Sequence, residues 1–200
     1  MQNKDNILKT IDPLIRIGID KGIQQINFLF HSPVSINASE LILSSQQNLK
    51  SYFVDFIDEK YCAVFLDFKG SLFGIAKLIF KKGDAYKLVD IFTGDTIGKI
   101  ESDALYDGAF AEIGNIIINA ILGTISNSME LYFIYGVPTF QCGNIDAIVP
   151  ENFFPNSGDY LLVKTTMLIE NYKINCNFIL LLDTASLQIL FDKATYYLTK

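Results

Sequence analysis

The sequence is poor in the side chains that most hydrolytic sites require. Its only histidine is His31, which is followed by Ser32 and Pro33. An imidazole at that position fits the end of a helix, where it can meet carbonyl groups that lack partners. A nucleophilic triad needs an imidazole beside its nucleophile. The sequence therefore offers no competing hydrolytic triad.

Cysteine is also scarce and scattered. Cys62, Cys142 and Cys176 form no CxxC pair and have no neighbouring histidine. This spacing indicates neither a zinc site nor a disulfide framework. We expect reduced, buried thiols in a cytoplasmic protein.

Basic clusters and long apolar runs are missing as well. The net charge is −6, and no group of lysines or arginines is interleaved with aromatic residues, which excludes nucleic acid as a partner. Asn, Asp or Lys interrupts the apolar runs before they reach membrane-spanning length, and the N-terminus leads into no signal-type apolar core. We expect a soluble cytoplasmic protein without a membrane partner.

The composition and the periodicities predict one α+β domain spanning residues 1–200. Half of the 200 residues are hydrophobic, which allows a sizeable core. The periodicities predict helices over residues 12–29, 84–92, 103–127 and 184–197. They predict strands over residues 34–43, 51–56, 62–68, 72–80, 131–137, 146–149, 160–169 and 171–182.

The order of these elements repeats, with half-repeats of about 1–98 and 99–200. Residues 78–80 precede a helix in the first half as residues 180–182 do in the second half. Residues 16–19, Arg-Ile-Gly-Ile, stand where Glu-Ile-Gly-Asn stands at residues 112–115. The repeat predicts two pseudo-symmetric halves, each with a long helix and antiparallel strands.

Polar side chains interrupt the apolar pattern of the helix predicted over residues 103–127. Glu112, Asn115 and Asn119 cluster on one side at about 100° per residue. Apolar residues form a helical stripe at Ile113, Ile116, Ile117, Ala120, Ile121 and Ile125, of which Ile113, Ile117, Ala120 and Ile121 lie opposite the polar cluster. One helix can therefore bury its isoleucines and present a carboxylate beside a carboxamide.

This pattern resembles the CheC family of chemotaxis phosphatases. Their active helix carries Glu-x2-Asn, and a proline follows after twenty-two further residues; Glu112, Asn115 and Pro138 match these positions. Asp or Ser is usual four residues before the glutamate, where this chain has Gly108 next to Asp107. The resemblance covers nearly the whole chain and implies a duplicated α+β fold of the CheC type.

The resemblance also implies a function. The substrate would be the aspartyl-phosphate of a CheY-like response regulator, which itself holds Mg²⁺, so that this chain needs no cofactor. Asn115 would orient the attacking water, and Glu112 would dock to the lysine beside the partner's phosphoaspartate. Pro138 would fix the chain at the end of the strand that follows the helix.

The first half is expected to have lost its site. Arg16 replaces the glutamate, Ile19 replaces the asparagine, and Ile42 stands at the proline position. We therefore expect one active site, in the second half.

Several alternatives stay open. The chain could be a scaffold that binds the regulator or the deamidase CheD without catalysis, or a relative of the flagellar switch, although the termini show no obvious switch domain or docking tail. Asn119 could extend the polar face or lie on a solvated surface. Gly114 could admit a partner backbone or serve packing inside the domain.

Overall fold

The computed structural model describes residues 2–30, 34–45, 48, 51–53, 59–94, 103–149, 159–169 and 172–198. The helices are Gln2–Phe30 (α1), Lys82–Thr93 (α2), Asp103–Met129 (α3), Ile145–Ile148 (α4) and Thr184–Leu198 (α5). The strands are Val34–Ser45 (β1), Tyr61–Gly70 (β2), Gly74–Lys81 (β3), Phe133–Tyr135 (β4), Thr139–Gly143 (β5), Asp159–Ile169 (β6) and Tyr172–Leu182 (β7). The predicted α+β class is confirmed.

The strands form one antiparallel sheet in the order β1-β6-β7-β3-β2, and both β4 and β5 pair with the outer side of β2. The central pair is β3 with β7. In the first half β1 pairs with β6 of the second half, and in the second half β4 and β5 pair with β2 of the first. Each half thus completes the sheet of the other, as a pseudo-two-fold axis through β3 and β7 requires.

A smaller core, which includes Ile148 of α4, lies on one face of the sheet. The other face carries the larger core and the helices α1, α2, α3 and α5. Their closest approach joins α1 to α3: a Cβ on Gly18 would lie 2.5 Å from the Cα of Ile121, and one on Gly22 would lie 3.2 Å from the Cα of Ile117. Since the later residue of α1 meets the earlier residue of α3, the two helices run antiparallel. Their backbones touch because α1 has no side chain at these two positions.

These contacts correct the expected alignment of the two halves. The pseudo-two-fold axis maps Gly18 onto Ile117 and Gly22 onto Ile121, so that each contact maps onto the other. The same shift aligns the burial pattern of residues 11–28 with that of 110–127. Ile19 is only 2% exposed, so it does not occupy the position equivalent to the half-buried Asn115. The first-half counterparts of Glu112 and Asn115 are Pro13 and Arg16.

Two of the predicted strands are wrong in the described parts. Residues 51–53 form a helical turn, and the remainder of that predicted strand lies outside the described residues. The segment 146–149 belongs to α4, because the side chain of Asn144 accepts a hydrogen bond from the backbone N–H of Ala147 at 2.9 Å and starts a helix. The strand that the sequence interpretation missed is β5, just before this cap.

Helix α1 begins ten residues before its predicted start and contains Pro13. Pro13 lies on the exposed side of α1. Helix α1 ends at Phe30, one residue after its predicted end. Gly94 ends α2, in the left-handed conformation at φ 61°.

The expectation of three reduced, buried thiols is wrong for two of the cysteines. Cys62 in β2 and Cys142 in β5 lie directly opposite each other in the sheet and form a disulfide. Cys142 is exposed, whereas Cys176 is a buried thiol. Sequence spacing did not reveal the pair because 80 residues separate its members.

Helix α3 is the most apolar helix of the fold. Residues Ala104–Met129 are long enough to span a membrane. An 18-residue window within them has a mean hydropathy of 1.5, and half of this window is buried inside the fold. Its buried side contacts α1 and the sheet. Such hydropathy is typical of a helix with a broad side buried in the core of a fold.

Lys77 lies in the smaller core, on the face of the sheet away from α1 and α3. It is 2% exposed, its Nζ donates to the carbonyl oxygen of Ile148 at 2.6 Å, and Nζ lies 4.9 Å from the centroid of the Phe65 ring. Burial lowers the pKa of Lys77 to about 8 from the usual 10.5. The charged form therefore lowers the stability of the folded state at neutral pH.

We expect this cost to disappear at alkaline pH. Between pH 8 and 10.5 the unfolded chain binds more protons at Lys77 than the folded chain, so the stability rises with pH. The difference in free energy of unfolding between the natural chain and Lys77→Met should shift by about 2 kcal/mol in favour of the natural chain when the pH is raised from 7 to 9.5. Urea titrations at both pH values measure it, with the exposed Lys69→Met as a control. A difference that does not change with pH would contradict the lowered pKa.

Candidate functional site

The polar face of α3 is oriented as its periodicity predicts. Glu112 is exposed, and Asn115 and Asn119 are half-buried. Ile113 and Ile117, on the other side, are each 1% exposed and belong to the main core. The helix thus buries most of its isoleucines and presents a carboxylate and two carboxamides outward, whereas Ile116 and Ala120 of the predicted apolar stripe are only half-buried. This confirms the predicted face, while the chemistry of these side chains stays a prediction.

Two contacts fix the rotation of α3 beside Glu112. The ring of Phe110 lies edge-on against Phe80 and Phe140, with centroids 5.1 and 5.6 Å away. Gly114 lies on β2, where an added Cβ would be 2.6 Å from the Cβ of Val64. Of the two readings of Gly114, the structure supports packing inside the domain. A larger residue there would push α3 off the sheet and move both site residues.

The N-terminal part of α3 is held by α2. The hydroxyl of Tyr106 donates to a carboxylate oxygen of Asp90, and its ring stacks on that of Tyr86 with centroids 4.9 Å apart. Such aromatic pairs add stability beyond the area they bury. The candidate site therefore lies on a helix that is anchored at several points.

The two asparagines contact each other. Nδ2 of Asn119 donates to Oδ1 of Asn115 at 2.6 Å. Residues four apart are neighbours on a helix, and this spacing was the available signal in the sequence. Of the two readings of Asn119, the structure supports the one in which it extends the polar face, because its side chain is half-buried and bonded to Asn115.

Gly108, one turn before Glu112, leaves space on this face. An added Cβ would meet nothing within 4 Å among the described residues. The departure from the family's Asp or Ser is therefore not forced by packing. A side chain at this position would project beside Glu112 without disturbing the fold.

Pro138 lies between β4 and β5, at an interruption of the edge of the sheet. Phe68 pairs with Tyr135 on one side of the interruption and Phe65 pairs with Thr139 on the other. The amide of Gly136 donates to the carbonyl oxygen of Asp67 at 2.8 Å. A proline, which has no N–H, fits where an edge strand stops pairing. The predicted position of Pro138 after the strand that follows α3 is confirmed.

Within the described ranges, no group of three or more His, Cys, Asp or Glu side chains could hold a metal ion. The face of α3 offers one carboxylate for docking to a cation and carboxamides that both donate and accept hydrogen bonds. Such groups can position a water molecule or a partner. Covalent catalysis would instead need an activated nucleophile.

No family model matches the sequence, and no curated protein matches it. Solved structures do match. The Thermotoga maritima FliY structure superposes with a TM-score of 0.76 at 16% identity, covering 96% of each chain. The FliM middle domain from H. pylori gives 0.66 at 13% identity, covering 94% of this chain and 97% of that one. The fold is that of the CheC/CheX/FliY-type chemotaxis proteins.

A third structure of this fold contains a bound partner. The CheX-CheY-BeF3-Mg²⁺ complex from Borrelia burgdorferi matches with a TM-score of 0.53 at 13% identity, covering 83% of this chain and 96% of that chain. At these identities the similarity shows the CheC/FliY-type fold alone. The function must therefore be argued from the side chains of α3.

Proposed function

We propose that this protein is a cytoplasmic phosphatase that hydrolyses the aspartyl-phosphate of a CheY-like response regulator in bacterial chemotaxis. The observation that carries the proposal is the presence of Glu112 and Asn115 on the outward face of a well-anchored helix of the CheC/FliY-type fold. The complex of CheX with CheY supports the class of partner. The deamidase CheD is a further proposed partner.

The reaction places few demands on this chain. Water attacks phosphorus and the bond from phosphorus to the aspartyl oxygen breaks. The regulator regains its aspartate carboxylate, and the released inorganic phosphate takes the protons of the water. The transition state is loose, so that an in-line water and charge neutralisation supply most of the catalysis. Asn115 provides a donor and an acceptor that hold the water in line without acting as a base. Mg²⁺, held by the regulator, neutralises charge on the phosphoryl oxygens.

Glu112 serves docking. Its exposed carboxylate lies one turn from Asn115 on the same face and can form a charge-assisted hydrogen bond to the lysine beside the partner's phosphoaspartate. That contact would bring the carboxamide of Asn115 next to the phosphoryl group. Loss of Glu112 should therefore weaken both binding and turnover.

The alternative is a scaffold that binds the regulator, or CheD, without hydrolysis. One observation favours it: Gly108 places no side chain beside Glu112, where the CheC family usually has Asp or Ser. A scaffold would still use the exposed face of α3. Only a rate measurement separates the two functions.

Asn115→Ala is expected to remove most of the phosphatase activity. The substitution deletes the group that orients water and leaves an alanine on a half-buried helix face, so the fold and the docking should persist. The expected loss in kcat is at least about tenfold, since misplacement of a reacting group costs that much or more. The measurement is the dephosphorylation rate of a phosphorylated CheY-like regulator from the same genome, with Mg²⁺.

The control is Asn127→Ala, which changes an exposed asparagine about three turns further along the same helix. Its rate should equal that of the natural chain. Unchanged turnover in Asn115→Ala would rule out the mechanism even if the natural chain is active. Binding of a beryllofluoride-activated regulator without any acceleration of hydrolysis would favour the scaffold.

A further inference from the structure

We infer that Asn119 is a positioning residue, which fixes the side chain of Asn115 in one orientation for attack by water. The catalytic part of this inference rests on the proposed function. The geometric part rests on the hydrogen bond from Nδ2 of Asn119 to Oδ1 of Asn115, at 2.6 Å.

An asparagine on a helix face can rotate about both of its side-chain torsions, and the last of these has a broad energy profile. Asn115 would then spend only part of the time in the orientation that catalysis needs. The donor from Asn119 selects the rotamer that brings Oδ1 toward the following helical turn. Both side chains are half-buried, so the core side of the helix further limits their movement.

The hydrogen bond also determines which end of the carboxamide faces which neighbour. Oδ1 has two lone pairs, of which Asn119 occupies one. The other lone pair and the two N–H groups of Nδ2 then point in fixed directions. A water molecule bound there has a defined position, and ordering Asn115 in advance removes an entropic cost from the transition state.

Along α3, Asn119 has its hydrogen-bond partner on one side and open space on the other. It lies four residues after Asn115, and Gly123 lies four residues further on, where an added Cβ would meet nothing within 4 Å among the described residues. The space beside Asn119 is therefore open on its C-terminal side, and its partner lies on the N-terminal side. The donor of Asn119 thus points along the polar face to Asn115, and Glu112 lies three residues before Asn115.

The test combines a structural readout with a kinetic one. Asn119→Ala removes the donor, and Asn119→Asp replaces it by a group of the same shape that cannot donate when ionised. NMR relaxation of the Asn115 side-chain amide, assigned by its loss in Asn115→Ala, reports the order of that group without any substrate. Asn127→Ala and Asn127→Asp are the matched controls on the same helix.

The Asn119 variants should lower the order of the Asn115 amide and lower kcat by about threefold to tenfold, the range expected for one hydrogen bond. KM for the phosphorylated regulator should stay unchanged, since Glu112 still docks it. In an Asn115→Ala background, Asn119→Asp should cause no further loss, because a residue that acts through Asn115 has nothing left to position.

Equal order of the Asn115 amide in the natural chain and in Asn119→Ala would overturn the inference, whatever the activity. An equal loss of kcat with and without Asn115 would also overturn it, because Asn119 would then act independently. If the natural chain does not accelerate hydrolysis, the proposed function fails. The amide order still decides in that case whether Asn119 positions Asn115.

Discussion

Reduction of the Cys62–Cys142 disulfide is expected to lower the free energy of unfolding by about 2–4 kcal/mol, the usual range for a native disulfide. The bond joins residues 80 positions apart, so it closes a long loop in the unfolded chain. In the chain-entropy model, a loop of this length corresponds to somewhat more than 4 kcal/mol, which makes the expected value a conservative one.

The folded state should also loosen locally on reduction. Strand β5 lies at the edge of the sheet, pairs only with β2 among the described strands, and follows the interruption at Gly136–Pro138. The disulfide is a covalent link between β5 and β2. Phe140 of β5 contacts Phe110 of α3, so β5 is one of the supports of the site helix. Amide exchange in β5 should accelerate more than in the central strands.

Urea unfolding with and without a thiol reductant measures the effect. Cys142→Ser is the control variant: its stability should equal that of the reduced natural chain and should not respond to the reductant. Cys176 is buried and remains in both proteins, so it cannot cause a difference between them. If the natural chain unfolds at the same urea concentration in both conditions, the bond adds no stability.

The helix that carries the site could be predicted from the sequence almost residue by residue. The predicted span, 103–127, is only two residues shorter than α3, which ends at Met129. The agreement is close because the spacing of isoleucines along one face is a local property of the sequence. The outward direction of Glu112 follows from the same spacing. What the sequence could not show is the bond between Asn115 and Asn119, since an asparagine pair four apart is equally compatible with two solvated side chains.

Features that depend on contacts distant in sequence were missed. The register that brings Cys62 opposite Cys142 is set by the pairing of β5 with β2, and β5 itself was overlooked because only five residues separate the interruption at Pro138 from the cap at Asn144. The alignment of the halves failed for a similar reason. Matching Gly18 with Gly114 seemed natural in sequence, yet Gly18 packs on α3 and Gly114 packs on the sheet.

The corrected alignment explains how the duplicated helices diverged together. Where α1 has Gly18 and Gly22, the equivalent positions of α3 carry Ile117 and Ile121. A symmetric pair with isoleucine on both helices would hold them further apart, and glycine on both would leave a cavity. The two glycines of α1 therefore leave the space that the two isoleucines of α3 fill. The candidate site residues Glu112 and Asn115 lie on α3, whereas α1 carries Pro13 and Arg16 at the equivalent positions.

Gly18→Ala is expected to destabilise the protein by about 2 kcal/mol or more, although alanine is the better helix former. The new methyl group would lie 2.5 Å from the Cα of Ile121 and 3.1 Å from the carbonyl oxygen of Ala120. Both of these are backbone atoms, which no change of rotamer can move. The two helices must separate, and the packing at Gly22 is lost with them. Urea or thermal unfolding measures the change.

The matched control makes the same substitution where the structure leaves space. Gly108→Ala in α3 meets nothing within 4 Å among the described residues and should raise the free energy of unfolding by about 1 kcal/mol, through helix propensity alone. The two variants thus share one chemical change and differ in the sign of its effect. Equal effects in both would show that the close contact of α1 with α3 does not determine the stability. Opposite signs would show that the close contact of Gly18 with α3 determines the stability. This contact lies on the side of α3 that faces away from Glu112.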